Sequence, residues 1–225
     1  MDYETRSALL VGATGLVGGH CLNLLLEDAA YQKVVALGRR MLPVEHQKLE
    51  QHIIDFDKLT DYAHLIRAQD VFCCLGTTIK KAGSREAFRR VDFTYPHDVA
   101  RIAAENGAEQ MLLVSALGAV ARSRFFYNRV KGEVEDAVSK LPFRGVQIFR
   151  PSLLLGERQE VRRGERIAER VMNLFSFAFI GSLKKYLPID ARAVASAMVQ
   201  VAKRCPPGRN IFGSDRIAAI KGSGG

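Results

Sequence analysis

What narrows the possible folds most is a glycine turn set between an apolar run and a helical pattern. Ala8-Leu9-Leu10-Val11 leads directly into Gly12-Ala13-Thr14-Gly15-Leu16-Val17-Gly18, and apolar residues at helical spacing follow at Cys21, Leu22, Leu24 and Leu25. A strand, a tight turn and a helix start in that order form a corner suited to phosphate, because a helix N-terminus presents unpaired N–H groups and the positive end of the helix dipole. Glycines at the three positions allow the turn, the close approach of backbone to phosphate, and tight packing of helix on strand. The alternative is a purely structural turn.

The rest of the chain repeats the alternation. Strands are expected at about Ser7–Val11, Val34–Leu37, His52–Ile54, Asp70–Leu75, Met111–Val114 and Val146–Arg150. Between them lie helical patterns at about Leu16–Glu27, Tyr62–Ile66, Arg85–Asn106 and Phe125–Ser139. Pro96 marks a fresh start or a kink in the third of these, and Gly107 closes it as a C-cap. Beyond Pro151, which stops the sixth strand, helices are expected at about Glu165–Phe179 and Ala191–Lys203, with a short apolar piece at Asn210–Phe212. Strands joined by helix-length connections give an α/β fold with a doubly wound parallel sheet. Ligands of such sheets bind beyond the carboxyl ends of the strands. Gly12, Arg39, Asp55, Gly76, Ser115 and Pro151 all fall there and should converge on one crevice.

Ser115, Tyr127 and Lys131 form a second constellation. Tyr127 and Lys131 are four apart on an expected helix and share a face, and Ser115 ends the preceding strand. A phenol has an unperturbed pKa of about 10, so a neighbouring ammonium is what would make it useful as an acid or base near neutrality. Ser115 could hold a substrate oxygen. The alternative for the Tyr-x-x-x-Lys pair is an ordinary surface helix pair.

At the end of the second strand stands Gly38-Arg39-Arg40, with no carboxylate before Glu45. An acidic residue there would suit a ribose 2′-hydroxyl, whereas arginine suits a 2′-phosphate. An exposed basic turn is the other possibility.

Together these residues resemble the short-chain dehydrogenase/reductases. The Gly12-x-x-Gly15-x-x-Gly18 spacing is like the extended and atypical branches, and among these the chain is similar to the Tat-interacting-protein (CC3-type) oxidoreductase-like members. The matching stretches are Gly38-Arg39-Arg40, Phe72-Cys73-Cys74-Leu75-Gly76-Thr77-Thr78, Arg90-Val91-Asp92, Val130-Lys131-Gly132-Glu133-Val134-Glu135 and Phe149-Arg150-Pro151. The resemblance implies NADP(H) in a Rossmann fold. Gly12, Thr14, Gly15, Leu16 and Val17 would grip the pyrophosphate, and Arg39 with Arg40 would pair with the 2′-phosphate. Asp55 and Phe56 would border the adenine, and Leu75, Gly76 and Thr77 the ribose. Tyr127 and Lys131 would contact the nicotinamide ribose, while Pro151, Ser152 and Leu153 would shield the nicotinamide. Many relatives place an asparagine upstream of the serine; here the comparable stretch offers Asp92, expected as a helix cap or structural hydrogen-bond partner.

The 225 residues fit a single domain over 1–221, with 151–190 as a substrate-side or lid region and 222–225 as a flexible tail. No apolar stretch reaches the ~18 uncharged residues of a membrane span, and the acidic start Met1-Asp2-Tyr3-Glu4 is unlike a signal peptide, so a cytoplasmic protein is expected. The four cysteines lack Cys-x-x-Cys spacing, and the neighbours Cys73 and Cys74 should face opposite sides of the sheet. No metal site is visible. Thirty-three Lys and Arg against 24 Asp and Glu leave a net charge of +9, which fits an anionic cofactor. The basic residues are scattered in sequence and not interleaved with aromatics in one block, which disfavours a nucleic-acid partner. His97 reads as a surface residue, and Glu157 and Glu160 as solvated loop charges or the rim of a substrate mouth. The apolar run 171–180 followed by Lys184-Lys185 reads as a packed helix or lid, with a membrane-surface or protein-docking segment as the alternative.

Two functions follow: an NADPH-dependent oxidoreductase acting on a small carbonyl compound, or an NADP(H)-binding regulatory or scaffolding protein.

Overall fold

The computed structural model describes residues 5–155 and 187–221. The apolar run before the glycine turn forms β1 (Arg6–Val11), and α1 (Leu16–Glu27) begins just past the turn. Then come β2 (Tyr31–Gly38), β3 (Leu49–Ile53), a 3-10 segment (Phe56–Leu65) and β4 (Asp70–Cys73). The β4–β5 connection holds two short helices, α2 (Ile79–Ala82) and α3 (Arg85–Arg89), a π-helical turn (Arg90–Thr94), and α4 (Tyr95–Glu105). The chain continues through β5 (Gln110–Val114), α5 (Phe126–Val138), β6 (Gly145–Arg150), β7 (Leu154–Leu155), β8 (Ile189–Asp190), α6 (Ala191–Arg204), β9 (Gly208–Gly213) and α7 (Ser214–Lys221).

Seven strands form one sheet in the order β3-β2-β1-β4-β5-β6-β9, and every neighbouring pair is parallel. The strand order reverses between β1 and β4, which opens a crevice at their carboxyl ends. The doubly wound α/β fold expected from the strand and helix spacing is therefore present. β7 and β8 pair separately, in parallel.

Each sheet face carries its own apolar layer. α1 and α6 cover one side through Leu22, Leu25, Val194 and Met198, and these meet Leu10, Phe72 and Phe149 of the strands. On the other side Val99, Ile102, Val134 and Val138 of α4 and α5 meet Leu9, Val71, Met111 and Ile148. Alternation along β4 carries Cys73 into the second layer, while Cys74 packs against the first. All four cysteines are free.

Several bounds differ from those expected. The helical pattern over 85–106 is interrupted at Arg90–Thr94, and a new helix starts with Pro96 in its first turn, where the missing N–H is not needed. Gly107, at φ +86°, closes that helix by donating to the Ala104 carbonyl at 3.0 Å. α7 and the β7–β8 pair lie in the region where the sequence shows little periodicity. The expected helix over 165–179, the apolar-basic stretch 171–185, Glu157, Glu160 and the tail 222–225 lie outside the described residues. No helix among the described residues is long and apolar enough to cross a membrane.

Candidate cofactor and active site

Gly12 is the pivot of the crevice. Its φ is +87°, and a Cβ there would lie 2.6 Å from the Cys74 carbonyl carbon and oxygen. The bare backbone thus lets the turn after β1 run hard against the chain leaving β4, where the Cys74 N–H donates to the Val11 carbonyl at 2.9 Å. Gly15 N–H closes the turn on the Gly12 carbonyl at 2.9 Å. A Cβ on Gly18 would fall 2.1 Å from that same carbonyl oxygen, so α1 can start this close to the turn only with glycine there. The Gly15 N-cap offers no side-chain acceptor and the first turn of α1 holds no acidic residue. The N–H groups of Leu16 and Val17 are left for an external anion, and Thr14 and Gly15 are exposed beside them. That donor set fits a pyrophosphate.

Arg39 and Arg40 stand exposed just past β2, and neither makes an ion pair with any described residue. Asp55 caps the 3-10 segment by accepting the Asp57 N–H at 3.0 Å. The Phe56 ring is buried and packs on Tyr95 with centroids 5.2 Å apart, so it is a core residue and its ring is not free to border an adenine. Leu75 is half-buried, Gly76 is exposed, and Thr77 donates its N–H to Asp92 Oδ2 at 2.9 Å. Pro151 is buried and its carbonyl accepts the Leu117 N–H at 2.9 Å. Ser152 is tied to Ser214 and to the Leu187 carbonyl, and Leu153 projects into solvent.

Tyr127 and Lys131 lie one turn apart on α5. The Tyr127 ring packs on Phe88 with centroids 5.5 Å apart. The Lys131 side chain is 6% exposed, and its Nζ sits 2.7 Å from Asp92 Oδ1. Burial alone would lower the ammonium, but Asp92 and then Tyr127 outweigh it, and the Lys131 pKa stands above its ordinary value. Asp92 is no helix cap. The π-turn swings it inward, where one oxygen takes the Thr77 N–H and the other takes Lys131.

Ser115 is held differently. Its N–H donates to the Phe149 carbonyl at 2.7 Å, and its hydroxyl donates to Glu135 Oε1 at 2.5 Å. Glu135 is fully buried and also accepts from Arg150 at 2.5 Å and Arg209 at 3.4 Å. It follows Tyr127 by eight positions, roughly 12 Å along a helix axis. Ser115 ends its strand as expected, but its proton points toward Glu135, and orienting a substrate oxygen requires the hydroxyl to rotate. The loop after β5 is pressed onto α5 at Gly132, where a Cβ would lie 2.1 Å from Ala121 N and 2.2 Å from the Val120 carbonyl carbon.

Sequence spacing hid one cluster. Arg85 and Arg129 stand over the Phe126 ring at 5.3 and 5.6 Å, and Arg89 over Phe93 at 4.5 Å. Basic and aromatic residues of two separate stretches, 85–93 and 126–129, therefore meet in one place, and Glu133 pairs with Arg89 within the cluster.

No protein-family model matches the chain. Among curated proteins it is 40% identical over 184 residues to Protein HTATIP2 of Rattus norvegicus, covering 80% of this chain and 72% of that one. It is 34% identical over 204 residues to Protein FMP52, mitochondrial, of Candida albicans, covering 88% of each chain. Solved structures share the fold. MoeE5 in complex with UDP-glucose and NAD superposes with a TM-score of 0.69 at 15% identity, over 95% of this chain and 80% of that one. The Bordetella bronchiseptica enzyme WbmH in complex with NAD+ gives 0.71 at 15% identity, over 94% and 76%. The expectation of a cytoplasmic protein does not survive the comparison. FMP52 relatives matching most of this chain are named mitochondrial, and neither composition nor the absence of a long apolar run decides between compartments. With a doubly wound Rossmann-type fold and this similarity to HTATIP2 and FMP52, the chain belongs to the HTATIP2/FMP52 family of atypical short-chain dehydrogenase/reductases.

Proposed function

We propose that this protein binds NADP(H) and reduces a small carbonyl compound. The observation that carries the cofactor half is the pairing of an uncapped α1 N-terminus, free of acidic residues, with Arg39 and Arg40 unpaired across the crevice. Two guanidiniums at the end of β2 suit a 2′-phosphate, where a carboxylate would suit a bare ribose. NAD-binding neighbours such as MoeE5 support a nicotinamide dinucleotide in the same fold.

A bound reduced nicotinamide would supply the hydride. Tyr127 would give its proton to the carbonyl oxygen, Lys131 would support that tyrosine electrostatically, and Ser115, once rotated off Glu135, would orient the oxygen. Pro151, Ser152 and Leu153 would close the nicotinamide end. A second reading rests on the Ser115–Glu135 bond itself: a hydroxyl already committed to a buried carboxylate fits an NADP(H)-binding regulatory or scaffolding protein with little turnover, whose partner is a protein or a membrane surface.

The test is titration with NADPH and NADH, followed by a carbonyl panel. Wild type is expected to prefer NADPH, and Arg39→Ala to weaken NADPH about 10- to 100-fold, the loss of one charge-assisted contact, without changing NADH. Equal binding of the two cofactors, or an unchanged preference in the variant, sinks the 2′-phosphate assignment. For the chemistry, Tyr127→Phe is expected to cut turnover about 10²- to 10⁴-fold with NADPH affinity intact. Tight binding without turnover on any carbonyl favours the regulatory reading.

A further inference from the structure

Asp92 has three features that a structural hydrogen-bond partner alone does not need. It carries a full charge at 1% exposure, it faces a lysine that is itself 6% exposed, and it is delivered there by a π-helical turn, a local geometry common at functional sites. The pair also abuts the crevice. A Cβ on Gly76 would lie 3.4 Å from Asp92 Oδ1 and 3.7 Å from Lys131 Nζ, so the two charges sit within van der Waals reach of the exposed glycine just past β4. Through Thr77 N–H, Asp92 also fixes the segment that follows.

A buried lysine is costly to keep charged without a counter-ion, and Tyr127 as a phenol is not one. With Asp92 in place the pair is close to neutral. That matters for a nicotinamide, whose ring is positively charged when oxidised and neutral when reduced. A lone ammonium at this end of the site would repel the oxidised form and leave the reduced form untouched. A lone carboxylate would do the reverse.

We infer that Asp92 is a positioning residue that neutralises Lys131 and thereby sets the balance of affinity between oxidised and reduced cofactor. The inference rests on the dinucleotide site proposed above. It adds that the site is built to hold the oxidised cofactor without an electrostatic handicap, and that this property belongs to Asp92 acting through Lys131.

A charge series tests it. Wild type, Asp92→Asn, Lys131→Met and the double variant are each titrated with NADP+ and NADPH by calorimetry, with melting temperatures recorded. The readout is the ratio of the NADP+ Kd to the NADPH Kd. Asp92→Asn is expected to raise the ratio about tenfold, the order for one unit charge acting across several ångströms of protein. Lys131→Met is expected to lower it, and the double variant to return it to near the wild-type value. A purely structural role for Asp92 would weaken both cofactors together and leave the ratio flat. Asp92→Asn strands a buried ammonium, and if it fails to fold, Lys131→Met against the double variant still reads the sign. A flat ratio while both cofactors bind, or a double variant whose ratio stays at the Asp92→Asn value, overturns the inference alone. Failure of wild type to bind either cofactor overturns the proposed function, and this inference with it.

Discussion

The two ends of the parallel sheet are built on opposite principles. At the amino end, Asp70 is fully buried and takes four hydrogen bonds: two from Arg6 at 2.8 and 2.6 Å, and one each at 2.7 Å from the Tyr31 hydroxyl and Gln110. Arg6 also reaches Glu109 at 2.8 Å, and burial beside Asp70 raises the Tyr31 pKa. These groups come from the first residues of β1, β2, β4 and β5 or just before them, so one carboxylate pins four strand starts. At the carboxyl end the same strands lead into Gly12, Gly38, Gly76 and Ser115, and Arg39, Arg40, Lys80 and Lys81 have no ion pair among the described residues. Satisfied charge closes one end, while the other keeps its buried pairs, Asp92 with Lys131 and Glu135 with Arg150, beneath a mouth of open donors and cations.

The comparison can be broken from either side. The largest stability effect should come from the anchored end: Asp70→Ala strands Arg6 and Tyr31, and is expected to cost about 3–5 kcal/mol with no change in cofactor affinity for the protein that remains folded. Chemical denaturation and calorimetry measure the two effects separately, and a variant that binds cofactor more weakly would mean the ends are coupled. Gly18→Ala should come next, at about 1–3 kcal/mol for overpacking against the Gly12 carbonyl. Unlike Asp70→Ala it is expected to abolish nucleotide binding, because the turn must open. Normal binding by this variant would show that the turn is not the phosphate site. Ser115→Ala should be the mildest, since Glu135 keeps both arginines; about 1 kcal/mol is expected in thermal melts. A turnover loss far larger than that would place the hydroxyl on the substrate and not on Glu135.

Much of this layout is legible in local sequence. The span of α1 follows from apolar spacing and the glycine turn, and the shared face of Tyr127 and Lys131 from their four-residue interval. The parallel, doubly wound sheet follows from the βα alternation. What sequence does not carry is pairing over distance. Asp70 and Arg6 are 64 positions apart, and no local pattern links them. Asp92 looks like a helix residue in a continuous pattern over 85–106, because a π-turn costs only one hydrogen-bond shift and leaves no compositional mark. Ser115 looks free until α5 brings Glu135 beneath it. The Arg85 stack on Phe126 joins α3 to α5, which no periodicity links. Where apolar patterning is weak, after Pro151, the sequence carries no clear signal for α7.

The crossing at Gly132 sets a limit on redesign. With Ala121 and Val120 lying where a side chain would be, the loop that follows Ser115 and the helix that carries Tyr127 and Lys131 cannot be adjusted independently. Libraries meant to change substrate choice should leave positions 120, 121 and 132 untouched and diversify Leu153 and Leu187, which face solvent and have room to grow.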